Sequence, residues 1–261
     1  MKKQGYLNNF DDKSLFQMHL CIDIGNSLVK TAVFSGTGII GKNLWADIGP
    51  DEIEEIKTGY PQIKNVILCS VRPDNPDLVT NIRDIFPFLL IFDHKTAIPI
   101  ENLYKSKSSL GKDRLAAVTG ANNIYPGRAV LVVDAGTAIT YDMIDESGRY
   151  LGGNISPGIS IRFRSLHEFT GRLPLVGPRK NVPLLANNTE ESIVAGVMNG
   201  IIFEMESFIG RIKEQFRDLV IIFTGGDAKY FDKKLKSTIF VDPDLIFTGL
   251  NRILTYNVEK K

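Results

Sequence analysis

The chain has 261 residues, 43% hydrophobic and 23% charged, with a formal net charge of +1. That length and composition provide one large or two medium globular domains with a sizeable core. The near-neutral balance gives no general affinity for nucleic acid or an acidic membrane surface, and no apolar run approaches the ~20 residues of a membrane span.

Residues 1–18 form a polar leader with no secretory apolar region. The only cysteines, Cys21 and Cys69, each lie in an apolar run. Buried reduced thiols are therefore expected rather than a disulfide framework, and a cytoplasmic protein. Residues 20–24 and 28–34 read as two strands joined at Gly25-Asn26-Ser27, and residues 36–47 as a weaker third. Residues 51–58 and 75–85 suit helices, and residues 65–71 and 88–92 buried strands. Three strands followed by alternating helix and strand indicate an α/β lobe with a mixed sheet. Residues 103–113 form a polar loop, and a helix begins at Arg114.

Residues 131–140, Leu-Val-Val-Asp-Ala-Gly-Thr-Ala-Ile-Thr, then open a second lobe. A β-branched apolar run meets Asp134, Gly136 and Thr137, placing a carboxylate, a bare backbone and a hydroxyl together at a turn. Gly136 permits positive φ and close approach of a ligand. Asp134 can hold a cation and Thr137 a phosphate oxygen. Asp23-Ile24-Gly25-Asn26-Ser27 repeats the pattern, and such duplication points to two lobes that grip one nucleoside triphosphate. Two aspartates facing one triphosphate require compensating cations, of which Mg²⁺ bridging phosphate oxygens is one. Beyond this, residues 150–155 read as a strand and residues 156–158 as a turn. Residues 159–170 read as a helix with Phe163, Leu166 and Phe169 on one face. Residues 189–216 form a long helix, 219–223 a strand and 228–236 a short helix. The apolar run 245–250 leads into a last short helix.

Several of these motifs occur in one order: Asp23 to Lys30, Gly111-Lys112-Asp113-Arg114, Asp134-Ala135-Gly136-Thr137-Ala138, Gly152-Gly153, Pro157-Gly158, Asn188-Thr189 and Thr224-Gly225-Gly226. This series resembles the type III pantothenate kinases, members of the acetate and sugar kinase, heat-shock chaperone and actin superfamily. The Gly-x-Asp-Arg run between the two Asp-x-Gly hairpins is the specific part. The resemblance implies a two-lobed actin-like ATPase fold of duplicated ribonuclease H-like lobes, with mixed sheets and flanking helices. The expected division is an N-terminal lobe over residues 19–120, with the first phosphate loop and the substrate loop. Residues 121–261 would form a C-terminal lobe with the second phosphate loop and the adenosine motif.

The resemblance also implies ATP-dependent phosphorylation of pantothenate to 4′-phosphopantothenate, which begins coenzyme A biosynthesis. Asp23, Ile24, Gly25, Asn26, Ser27, Leu28, Val29 and Lys30 would form the first ATP-phosphate loop. Thr137, Gly225 and Gly226 would contact ATP from the second lobe, and Asp134 would hold a monovalent cation, potassium or ammonium. Asp113 would accept the hydroxyl proton, with Gly111, Lys112, Asp113 and Arg114 as the pantothenate loop and Tyr104 and Thr189 as further substrate contacts. A homodimer sharing the substrate pocket is implied; apolar positions Ile193, Val197, Ile201 and Met205 recur at helical spacing and suit either that seam or a core.

Each residue has a plainer alternative. Asp113 and Thr189 suit helix caps, Arg114 a surface cation and Tyr104 an aromatic packing residue. Lys30 suits a solvated face, Thr224-Gly225-Gly226 a tight turn, and His167 packing or a solvent-facing position. The chain departs from the family pattern at Ser27, in place of threonine, at Lys112, in place of a small or apolar residue, and at Leu103, where proline is common. An ATP-binding regulator, or a kinase of another small hydroxylated substrate, could use the same scaffold.

Overall fold

The computed structural model of the chain describes residues 17–73 and 75–260, so the leader falls almost wholly outside the described residues. The chain divides into two compact units that are not contiguous in sequence. The first takes the described residues up to Pro99, with Gly111–Asp113 and the chain from Leu250 on; the second takes Ile100–Leu110 and Arg114–Gly249.

In the first unit lie β1 (Met18–Ile24), β2 (Val29–Ser35), β3 (Gly38–Trp45), α1 (Pro50–Gly59), β4 (Ile63–Ser70), α2 (Pro76–Ile85) and β5 (Phe88–Ile91). The sheet order is β3-β2-β1-β4-β5. β1 is antiparallel to β2 and parallel to β4. Its unbroken apolar run suits this central place, because both faces are covered and alternation is not required. Leu20, Cys21 and Ile22 are fully buried. α1 starts where Gly49 N–H donates to Glu52 Oε2, and α2 where the Asn75 side chain accepts from Leu78 N–H, which satisfies otherwise orphaned amides. The pairs Ile53/Ile56 and Leu78/Ile82 supply the buried helix faces.

The second unit holds β6 (Glu101–Asn102), β7 (Val130–Ala135), β8 (Ala138–Ile144), β9 (Arg149–Pro157), β10 (Val220–Thr224) and β11 (Phe240–Val241), in the order β11-β10-β7-β8-β9-β6. Without β6, this is the order of the first sheet: β7 takes the place of β1, β8 and β9 those of β2 and β3, and β10 and β11 those of β4 and β5. The pairing senses agree as well, antiparallel for β7/β8 and β8/β9, parallel for β7/β10 and β10/β11. The repeated Asp-x-Gly pattern in the sequence thus marks a repeated sheet.

The helices are α3 (Lys112–Ile124), α4 (Ile159–Glu168), α5 (Thr189–Gln215), α6 (Ala228–Phe231) and α7 (Leu245–Glu259). Several differ from expectation. α3 begins at Lys112, so Asp113 lies inside its first turn and is not its cap. Residues 156 and 157 extend β9 rather than turning. Phe163 is buried beneath α4, but Phe169 follows the helix end and is 84% exposed. The expected helix at 228–236 is one turn, and the apolar run at 245–250 is itself the start of the fifteen-residue α7.

α5 is the core helix of the second unit. Ile193, Val197, Ile201 and Met205 are buried there against strand residues such as Leu131, Val133 and Phe223, so this row serves the core and lends no support to a subunit seam. By length and composition α5 is apolar enough to cross a bilayer, with a mean hydropathy of 1.4; its buried row instead packs against the sheet.

Within the second unit, α3 and α7 touch backbone to backbone at Gly120 and Gly249. A Cβ on Gly249 would stand 1.8 Å from Ala116 O. Alanine in a helix is favoured over glycine by roughly 1 kcal/mol, whereas relieving a backbone overlap of this kind costs about 1–3 kcal/mol or more. Gly249→Ala should therefore lower the urea midpoint. A raised midpoint would show that the two helices separate at little cost.

Candidate active site

The first hairpin closes where Gly25 N–H donates to Leu28 O at 3.0 Å, leaving Asn26, Ser27 and Leu28 exposed at its tip. Arg72, just past β4, donates from Nε to Gly25 O at 2.7 Å and ties the turn to the neighbouring strand. Asp23 stands opposite Lys30 on β2 and opposite Cys69 on β4. Only 8% of Asp23 is exposed. Burial pushes its pKa up to about 6, with Asp113 adding to the rise and Lys30 opposing it. The Cys69 thiol is also pushed up, by burial first, then by Asp23 and Asp113, with Lys112 pulling the other way. The first unit therefore gathers Asp23, Lys30, Lys112, Asp113 and Cys69 into one electrostatic neighbourhood. Both cysteines are buried free thiols.

The second hairpin has a tighter turn, in which Gly136 N–H donates to Ala138 O at 3.0 Å. Gly136 does not adopt positive φ. Gly225 does, at 90°, and a Cβ there would lie 2.3 Å from Asp134 Oδ1 and 2.4 Å from Ala135 O. Gly225 is thus required by its packing against the hairpin, independently of any ligand. Asp134 is half-buried and faces Thr140 on β8 and Thr224 on β10, while Thr137 is exposed at the tip. Thr140 Oγ1 is buried without a hydrogen-bond partner. A buried orphan hydroxyl is costly, and this one stands directly across the ladder from a carboxylate.

The remaining predicted residues fall into two groups. Thr189 is the exposed first residue of α5. The cap is Asn188, whose side chain accepts from Glu191 N–H at 3.0 Å. His167 is exposed and contacts Leu173 O. Arg114, by contrast, is not on the surface: it is 6% exposed and forks onto Asp142, which is 1% exposed. Nε lies 3.0 and 3.1 Å from Asp142 Oδ1 and Oδ2, and Nη2 is 2.6 Å from Oδ1. The guanidinium lies over the Tyr104 ring, 5.7 Å from its centroid. Tyr104 stacks on Tyr150 at 6.0 Å, and Tyr150 OH donates to Asp142 Oδ1 at 2.6 Å. Sequence reasoning missed Asp142, Tyr150, Thr140 and Arg72. The signal for Asp142 was present, as a single acid between Tyr141 and Met143 in an apolar strand.

Among the described residues no group of three or more His, Cys, Asp and Glu could enclose a metal ion. Nucleotide-borne Mg²⁺ does not need one, since it keeps waters and takes one or two carboxylates. The desolvated Asp23 carboxylate fits such an ion, and Asp134 with the orphan Thr140 hydroxyl supplies hard oxygens for a larger one.

The family model described as type III pantothenate kinase matches residues 19–211. A type III pantothenate kinase from Phocaeicola vulgatus is 43% identical over 241 residues, covering 92% of this chain and 99% of the relative. Among solved structures, a Campylobacter jejuni protein assigned to the Baf family of transcriptional activators superposes with a TM-score of 0.60 at 24% identity, covering 92% of this chain and 99% of that one. Glucokinase from an Antarctic psychrotroph gives 0.55 at 11% identity, with coverage of 92% and 99%. At those identities the two structures show the fold, a two-lobed actin-like ATPase fold, and nothing finer.

The raised pKa of Asp23 sets a stability cost with a definite sign. Below about pH 4 the carboxyl is protonated whether folded or unfolded, and no cost arises. From there the cost grows with pH, and it is complete above about pH 6, where the folded protein must also hold the charge. At about 1.4 kcal/mol per pKa unit it amounts to roughly 2–3 kcal/mol. Relative to the parent chain, Asp23→Asn in the nucleotide-free protein should therefore gain stability between pH 4.5 and pH 8, as measured by urea denaturation. A difference between the two proteins that does not change with pH would refute the desolvation.

Proposed function

The chain belongs to the type III pantothenate kinase family, and on that premise we propose how its residues divide the work of phosphorylating pantothenate with ATP, the first step of coenzyme A biosynthesis. Asp113 accepts a hydrogen bond from the primary hydroxyl of pantothenate. As the hydroxyl oxygen bonds to the γ-phosphorus and the bond to the bridging oxygen breaks, Asp113 takes the proton and ADP leaves. The observation that carries this assignment is electrostatic: Asp113 raises the pKa of Asp23, the carboxylate of the phosphate hairpin, so the two acids are neighbours within one unit.

Asp23, Ile24, Gly25, Asn26, Ser27, Leu28 and Val29 form the first phosphate loop, with Asn26, Ser27 and Leu28 exposed at its tip, and Lys30 supplies a point charge to the phosphates. Thr137 donates its hydroxyl to phosphate, and Gly225 with Gly226 leaves room for adenosine, since a Cβ on Gly226 would meet nothing within 4 Å. Tyr104, Gly111, Lys112, Arg114 and Thr189 hold pantothenate. Bound through Asp23 and phosphate oxygens, Mg²⁺ would neutralise charge developing on the phosphates.

Asp134 is the proposed ligand of a monovalent cation, potassium or ammonium, and the orphan Thr140 hydroxyl supports a second oxygen there. A homodimer in the cytoplasm is the proposed state. Besides the family resemblance, the dimer is supported by large exposed apolar residues of the second unit, such as Leu184, Phe203 and the 88% exposed Leu185.

Asp113→Asn should lower turnover by roughly 10²–10⁴-fold, the usual range for losing a general base, while nucleotide binding survives. Near-normal turnover at saturating pantothenate would remove Asp113 from the base role. Activity should rise with potassium or ammonium and little with sodium, and Asp134→Asn should blunt that response; equal rates after exhaustive removal of monovalent activators would contradict the cation assignment. Light scattering should give twice the mass of the 29.0 kDa chain, and a fully active monomer would overturn the dimer.

A further inference from the structure

Arg114 combines a buried charge with a complete set of supports. Its Nε–Nη2 edge is taken by Asp142, its plane by the Tyr104 ring, and its side chain also hydrogen-bonds that of Tyr104. Asp142 is held from a second direction by Tyr150 OH, and the Tyr150 ring stacks on Tyr104. The four side chains form a closed ring of contacts: Arg114 to Asp142, Asp142 to Tyr150, Tyr150 to Tyr104, and Tyr104 back to Arg114. All four belong to the second unit, contributed by β8, β9, the loop after β6 and the start of α3.

A ring of this kind is a poor device for stability alone. Removing both charges of a buried ion pair from water costs several kcal/mol per ion, and a well-packed apolar cluster of the same volume serves a core as well. Its distinctive property is geometric. A guanidinium forked by a carboxylate has one allowed plane and one allowed edge, and a tyrosine ring in contact with both a guanidinium and a second stacked ring has little rotational freedom left. The two residues so fixed, Tyr104 and Arg114, are the ones assigned above to pantothenate. The two that fix them, Asp142 and Tyr150, are buried.

We propose that Asp142 and Tyr150 are positioning residues of the pantothenate subsite, setting the geometry of Arg114 and Tyr104 without touching substrate. The inference rests on the pantothenate kinase reading. Asp142 holds the Nε–Nη2 edge of Arg114, which fixes the plane in which the guanidinium meets pantothenate. Tyr150 OH holds the Asp142 oxygen that accepts from both Nε and Nη2, and so fixes the carboxylate against the arginine. Residues that orient a binding group commonly change affinity by about 10–100-fold when altered, and the loss of one among several hydrogen bonds to the supporting carboxylate by less, about 2–10-fold.

The test compares the parent protein with Tyr150→Phe and Asp142→Asn, measuring KM for pantothenate and for ATP, pantothenate binding by calorimetry, and the melting temperature. Tyr150→Phe keeps the ring stack and removes one hydroxyl, so it remains informative if Asp142→Asn fails to fold. Expected are a rise in pantothenate KM and Kd of roughly 2–10-fold for Tyr150→Phe and about 10–100-fold for Asp142→Asn, with the ATP constant within about twofold. Arg114→Lys, which cannot fork onto Asp142, should mimic Asp142→Asn, and the two together should cost no more than either alone. If the parent phosphorylates pantothenate and both variants bind it equally well, the inference fails and the kinase reading stands. Pantothenate and ATP constants rising together with a lowered melting temperature would show a merely structural role and also overturn it. A parent protein that neither binds nor phosphorylates pantothenate defeats the kinase reading, and the inference with it.

Discussion

β1 and β7 each pair with an antiparallel hairpin partner on one side and a parallel strand on the other. Both are therefore central strands, buried on both faces, and both carry an aspartate beside their carboxyl ends. Everything assigned to ATP depends on this constraint. A strand in that place cannot shift register without exposing its whole apolar run, so Asp23 and Asp134 are held rigidly. The turns that follow can then vary, four residues from Gly25 to Leu28 in one unit and only Gly136 and Thr137 in the other.

The same burial explains why these acids are chemically unusual. Asp23 loses its water and gains only partial compensation from Lys30, so its charge is costly until a cation or a bound ligand supplies the rest. The Arg114–Asp142 pair solves the opposite problem. There the charges compensate each other completely: burial pulls the guanidinium down, but Asp142, Tyr150 and Tyr104 outweigh it and hold its pKa above the ordinary arginine value. Asp23 keeps a charge that its neighbours answer only in part, whereas the partners of Arg114 outweigh the cost of burying it.

Much of the fold was legible because the strands obey simple patterns. The runs at Leu20 to Ile22 and Leu131 to Val133 are unbroken and apolar, and each leads into Asp-x-Gly, which was enough to find the duplicated hairpins. The length of α7 was hidden because its start, Leu245 to Leu250, is apolar all round and has no helical alternation to read. The setting of Arg114 was hidden for a different reason. A lone arginine at a helix start reads equally as a surface cation, and the carboxylate that holds it, Asp142, lies on another strand. Local sequence carries no information about that pairing; only the tertiary contact does. Likewise the row Ile193, Val197, Ile201 and Met205 fixes a helical face but not what covers it, and the sheet of the second unit does.

The most direct test of the account is to incubate the purified protein with ATP, Mg²⁺, potassium and pantothenate and to follow both products by mass spectrometry. The account predicts 4′-phosphopantothenate and ADP formed in equal amounts, with little ADP when pantothenate is left out. ADP and free phosphate appearing at the same rate with or without pantothenate, and no phosphorylated pantothenate, would contradict it.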